Sequence, residues 1–242
     1  MNKTSIKLPG GRTASVATAR LQLIIATLVS LILWQAEGAR ELLYPIRLFV
    51  TVVHEGCHAL MTVITGGRVL NITINPDTSG VTLSQGGMPF WIFMAGYLGA
   101  AMYGSFALHL SRHRGGGRNG LIFLAGTVLI IGGLWMNPLG PGWFGFFYSV
   151  AIALLLAAGA KWLKESAASA IVSFLSVQVC LNAIFDLRDL VFITTNTNRP
   201  NDAVFMSGEY GGAPWLWAGL WCLTSLIMLG ISLKLFWRKS EA

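Results

Sequence analysis

The stretch Val52-Val53-His54-Glu55-Gly56-Cys57-His58-Ala59-Leu60 sets an H-E-x-x-H pattern inside an otherwise apolar run. His54 and His58 are four residues apart, so on a helix they stand one above the other on the same face, where two imidazoles can hold one metal ion. Glu55 lies one step round the helix, placed to take a proton from a water activated by that metal. With four histidines in 242 residues, a shuffled chain would show the pattern roughly one time in a thousand. The plain alternative is a polar cluster serving helix packing. Desolvating two imidazoles and a carboxylate in a membrane costs several kcal/mol unless something pairs with them, and this favours the metal site.

The setting is that of a membrane protein. A chain that is 54% hydrophobic and 11% charged, with nine tryptophans and a mean hydropathy of +0.63, reads as polytopic. A net charge of +7 would also suit nucleic acid. Its placement argues for the lipid bilayer instead, because Lys3, Lys7, Arg12, Arg112, Arg114, Arg118, Lys161, Lys164, Arg238 and Lys239 flank apolar runs as anchors and topology signals do. The expected location is a multi-pass position in the plasma (inner) membrane, for a bacterial source. Cys57, Cys180 and Cys222 lie in separate apolar runs and imply no disulfide framework. Cys57, inside the motif, reads as a buried apolar thiol rather than a thiolate ligand.

Outward from the motif, residues 1–20 form a polar, basic tail, and residues 21–242 read as one integral-membrane domain. Leu21 to Trp34 is short for a span and could be a stretched span, an uncleaved signal anchor or a re-entrant segment. The motif helix is expected from about Leu43 to Thr65, with Pro45 in its first turn and Gly66-Gly67 ending it. Alternation of Leu70, Ile72 and Ile74 with polar residues, the turn Pro76 to Gly80, and Val81 and Leu83 predict a β-hairpin over about 68–85 at the membrane surface. An open sheet edge cannot face lipid, so this hairpin must lie in water or in a protein-lined recess near the motif. Its edge is either a pairing site for an extended substrate or part of a mere connector.

Spans are expected at Phe90 to Leu110, Leu121 to Met136, Trp143 to Ala160, Ala167 to Thr195 and Pro214 to Trp237. Gly96, Ala100 and Gly104, four apart, suggest close helix packing and no chemistry. His109 and His113 read as interfacial residues. Residues 111–120 form a basic, glycine-rich loop, Lys161 to Glu165 a short charged one, and Thr194 to Pro214 a polar one. Gln178, Asn182, Asp186 and Asp189 make a polar stripe on one helix face, with Arg188 able to pair within it. The fold class is an all-α polytopic membrane protein, a bundle of six or seven transmembrane helices with a small β-hairpin inserted after the motif helix.

Catalytic zinc usually keeps three protein ligands and an open position. No third histidine is well placed, so a distant carboxylate is expected, from Asp202, Asp186 or Asp189. Here the residues resemble the site-2-protease type of membrane metallopeptidase, and within it the smaller site-2-protease-like group. The resemblance rests on His54-Glu55-Gly56-Cys57-His58, Gly66-Gly67-Arg68-Val69, Asn75 to Gly80, Ala95-Gly96-Tyr97-Leu98-Gly99, Leu181 to Arg188 and Asn201-Asp202-Ala203. It implies zinc held by His54, His58 and a distant aspartate, with Glu55 activating water against a membrane-embedded or membrane-proximal peptide bond. The larger family's L-D-G sequence near an N-x-x-P element is absent. Asp202, following Asn198 and Pro200, looks most like its replacement, with Asp186 the runner-up.

The function expected is that of an intramembrane zinc endopeptidase acting on a membrane protein or peptide. The alternative is a non-proteolytic scaffold or transporter that keeps a structural metal site. Glu55 argues against the alternative, because a closed zinc site has no need of it. Topology divides on Leu21 to Trp34. If that run spans with the basic tail inside, the later basic loops fall outside; if it does not span, they all fall inside.

Overall fold

The computed structural model describes residues 39–111, 115–196 and 201–238, with positions 21, 24, 25, 27–29 and 32; of residues 39–40, 182–196 and 236–238 the backbone alone is described. After a single turn at Ala39–Leu42, the elements in chain order are α1 (Tyr44–Ile64), β1 (Arg68–Ile74), β2 (Gly80–Gln85), α2 (Pro89–Leu110), α3 (Gly116–Trp135), α4 (Trp143–Trp162), α5 (Glu165–Asn196), α6 (Asp202–Tyr210) and α7 (Pro214–Arg238). Helices α1, α2, α3, α4 and α7 are long and apolar enough to cross a membrane, and α5 is apolar over Glu165–Leu181. The chain is an integral membrane protein, mostly helical, with a two-stranded antiparallel hairpin. Half of the run Leu21 to Trp34 lies outside the described residues.

Helix α1 is the centre of the bundle, touching the hairpin and α2, α3, α4 and α5. Pro45 stands in its first turn, where a missing N–H costs nothing. At its other end Gly66 takes φ +83°, and the amides of Gly66 and Gly67 bond back to the carbonyls of Val63 and Thr62 at 3.1 and 2.8 Å. That left-handed cap turns the chain back on itself.

Of the two places open to the hairpin, it takes the protein-lined recess beside the motif, with one face on the helices and the other exposed. It runs back along α1, so that its turn reaches the N-terminal half of that helix: Tyr44 Oη donates to the Pro76 carbonyl at 2.7 Å and Thr51 Oγ1 to the Thr78 carbonyl at 2.8 Å. The physical reason is the apolar face of β1. Ile72 and Ile74 are 0% and 1% exposed and join the core of α1, α3 and α4, where Gly145 leaves the room that Ile74 fills. Strand β2 pairs with β1 and packs on α1, while Val81 and Leu83 are 59% and 56% exposed. Non-helical backbone at membrane depth is tolerated only where protein or a polar recess surrounds it.

Two expected loops contain helix. Residues 116–120 of the glycine-rich stretch are the first turn of α3; Cβ atoms at Gly116, Gly117 and Gly120 would strike Leu110, Ser169 and Val172, so these glycines serve close approach. The Glu165 carboxylate accepts the orphan amide of Gly117 at 2.6 Å. The expected polar loop from Thr194 to Pro214 contains α6, begun by Asn201, whose Oδ1 accepts the amides of Ala203 and Val204 at 3.1 and 3.0 Å.

The inner strand should therefore matter to stability and the outer strand should not. Ile74→Ala is expected to cost about 2–5 kcal/mol and Val81→Ala under about 0.5 kcal/mol, read from thermal unfolding in detergent.

Candidate metal centre

The residues of the motif are divided among three neighbouring elements. His54 and His58 face the start of α2, and Glu55 faces β2. Gly56 faces α3, where a Cβ would fall 2.3 Å from Ile131 Cδ1. Cys57 packs on Gly99 of α2, apart from the donor atoms described next. His54, Glu55 and His58 are all buried.

Asp202 comes from the other end of the chain. As the first residue of α6 it is set by the Asn201 cap. Helix α6 is docked on α2 and α7 by aromatic side chains: Phe93 stacks on Phe205 with ring centroids 5.8 Å apart, and the Phe90 amide donates to Tyr210 Oη at 3.1 Å. Met206 and Trp221 are buried beneath it. Asp202 Oδ2 then lies 3.2 Å from His54 Nε2 and 3.2 Å from His58 Nε2, and the two Nε2 atoms are 3.0 Å apart.

That triangle has the dimensions of a metal site. Ligand atoms about 2.0–2.1 Å from a tetrahedral zinc stand about 3.3 Å from one another. The proton inventory agrees. His58 Nδ1 lies 2.6 Å from the Ile92 carbonyl, which can only accept, so Nδ1 carries the hydrogen and Nε2 of the neutral ring presents a lone pair. When the three atoms are free of protons, as metal ligands must be, their lone pairs converging at 3.0–3.2 Å repel, and a shared cation resolves the repulsion.

Room for the cation is made by Gly96. A Cβ there would fall 2.4 Å from His54 Nε2 and 2.4 Å from His58 Nε2 and crowd the nitrogens that would face the ion. Gly96 belongs to a π-helical turn, Ala95–Gly99, within α2, a local widening found often at functional sites. The glycine row read as packing from the sequence thus borders the site at its first member. Tyr97, in the same turn, sets its ring edge-on to His54 at 4.8 Å and stacks on Trp221 at 5.3 Å. Among the described residues His54 Nδ1 has no hydrogen-bond partner, so ring packing orients this imidazole.

Glu55 is engaged by the hairpin. Thr82 Oγ1 lies 2.7 Å from Glu55 Oε2 and 3.0 Å from the Glu55 carbonyl. Among the described residues, His54, His58 and Asp202 are the only group of three or more metal-ligating side chains close enough to share one ion. The side chains of Asp186, Asp189, Asn182 and Arg188, and the whole of His113, lie outside the described residues. Gln178 is buried in α5, and His109 lies near the end of α2. Of the residues that sequence reasoning passed over, Gly96 and Tyr97 stand in a stretch quoted for the family resemblance, whereas nothing local marks Thr82 or the Ile92 carbonyl.

A helical membrane protein with two buried histidines and a partly buried aspartate converging as donors, and a further carboxylate beside them, has the make-up of a membrane metallohydrolase. A family model described as Peptidase M50B-like matches residues 23–232, and the chain belongs to that family, the site-2-protease-like membrane metallopeptidases. No curated protein and no solved structure matches it.

Gly96→Ala should abolish zinc binding while leaving the fold intact, measured as zinc per chain in detergent. Gly126→Ala, where an added Cβ meets nothing within 4 Å, should bind zinc like the wild type.

Proposed function

We propose that this protein is an intramembrane zinc endopeptidase, in which His54, His58 and Asp202 hold the metal and Glu55 is the general base. The observation that carries the proposal is the convergence of three donor atoms at 3.0–3.2 Å beside a carboxylate that is not one of them. When bound, zinc supplies Lewis acidity that polarises a carbonyl and lowers the pKa of a water towards neutrality. The chain's own groups do the rest. Ile92 holds His58 in the tautomer that ligates, and the aromatic ring of Tyr97 holds His54. Glu55 takes the proton of the attacking water and returns it to the leaving amine. Burial of all three motif side chains keeps bulk water from competing.

The substrate class follows from the setting, a membrane-embedded or membrane-proximal segment in extended form. Among the described residues the sheet has two strands, which leaves the outer side of β2 without a strand partner beside the motif helix. An extended peptide would satisfy its backbone groups and lie beside Glu55. Proline in β1, at Ile72 or Ile74, would disturb the core, so the test of pairing belongs to β2. Leu83→Asp should raise KM for a membrane peptide substrate with zinc content unchanged; an unaltered KM would speak against pairing.

Glu55→Gln is expected to keep its zinc and lose about 10²–10⁴-fold in kcat, measured on single-span peptides in micelles. Asp202→Ala should lose the zinc itself. Glu55→Gln with full function in the cell would favour a scaffold or transporter.

A further inference from the structure

Strand β2 grips the Glu55 side chain from two sides. On one, Thr82 Oγ1 stands 2.7 Å from Oε2 and 3.0 Å from the backbone carbonyl of the same residue. A hydroxyl has one hydrogen to donate, and the shorter of the two contacts is the one to the carboxylate. On the other side, Gly80 presents bare backbone: a Cβ would fall 2.7 Å from both Cγ and Oε1 of Glu55. Glutamate has three side-chain torsions and several staggered rotamers. The slot between Thr82 and Gly80 selects one.

Resting on the zinc-endopeptidase reading above, we propose that Thr82 is a positioning residue, which aims the Glu55 carboxylate so that the hairpin, and not the motif helix, sets the direction of the base. A role in hairpin packing alone would need only the contact to the Glu55 carbonyl. The shorter bond is to the carboxylate.

The test needs no natural substrate. Cobalt(II) replaces zinc in the purified full-length protein in micelles, and acetohydroxamate is titrated while the visible spectrum is followed. The hydroxamate O–H is a hydrogen-bond donor for a carboxylate aimed at the metal. Thr82→Val should weaken hydroxamate binding about 10–100-fold, whereas Thr82→Ser, which keeps the hydroxyl, should stay within about threefold of the wild type. Combining Thr82→Val with Glu55→Gln should weaken binding no more than Glu55→Gln alone, because Thr82 acts through Glu55. Cobalt content should stay at about one per chain throughout. Wild-type binding by Thr82→Val, failure of Thr82→Ser to rescue, additive loss in the double variant, or loss of cobalt on Thr82→Val would each overturn the positioning role and leave the endopeptidase reading standing. No cobalt uptake, or no response to hydroxamate in the wild type, would overturn both.

Discussion

Drawing His54 Nε2, His58 Nε2 and Asp202 Oδ2 to 3.0–3.2 Å from one another removes two imidazoles and most of a carboxylate from water and, once they are free of protons as ligands must be, sets their lone pairs against each other. In a low-dielectric bundle both effects are costly, and a divalent cation at the shared point offsets them together. Much of the surrounding structure is a set of accommodations to that arrangement. Helix α1 supplies two donors at helical spacing, the π-turn of α2 clears the space between them, and α6 brings the third donor from 144 residues beyond His58, a separation read directly from the sequence.

The hairpin completes the site from the side the helices leave open. A strand pair normally sits poorly in a membrane, and here its apolar inner strand becomes part of the helix core while its outer strand carries Gly80 and Thr82 to Glu55. The five motif residues are thereby divided among four neighbours: the histidines and Cys57 against α2, Glu55 against β2, Gly56 against Ile131 of α3, and the ligand triangle closed by α6. The non-ligating residues of the pattern are thus fixed by packing as firmly as the ligating ones are by chemistry.

What could be read from the sequence was whatever rests on local spacing. The pairing of His54 with His58, the hairpin alternation around Ile72 and Ile74, the stop at Gly66-Gly67 and the apolar helices all follow from periodicity and from residues that break it. What could not be read depends on contacts between distant segments. The hairpin turns inward because Ile72 and Ile74 have Gly145 and α1 to bury against, a fact of tertiary packing and not of alternation. Helix α6 is short and weakly apolar, so its cap at Asn201 was the only local mark of it, and it lay unread inside a polar stretch. Gly96 has the same sequence appearance as Gly104, yet one clears a ligand triangle and the other clears Cys180.

The atoms that surround the metal define the site, and X-ray absorption at the zinc edge of the purified, zinc-loaded protein reads them directly. The expected result is about one zinc per chain with a first shell of nitrogen and oxygen alone, near 2.0–2.1 Å, including two imidazoles. A sulfur scatterer near about 2.3 Å would place Cys57 or another cysteine on the metal and contradict the His54, His58 and Asp202 site. A folded protein that takes up no zinc at all would contradict it more completely.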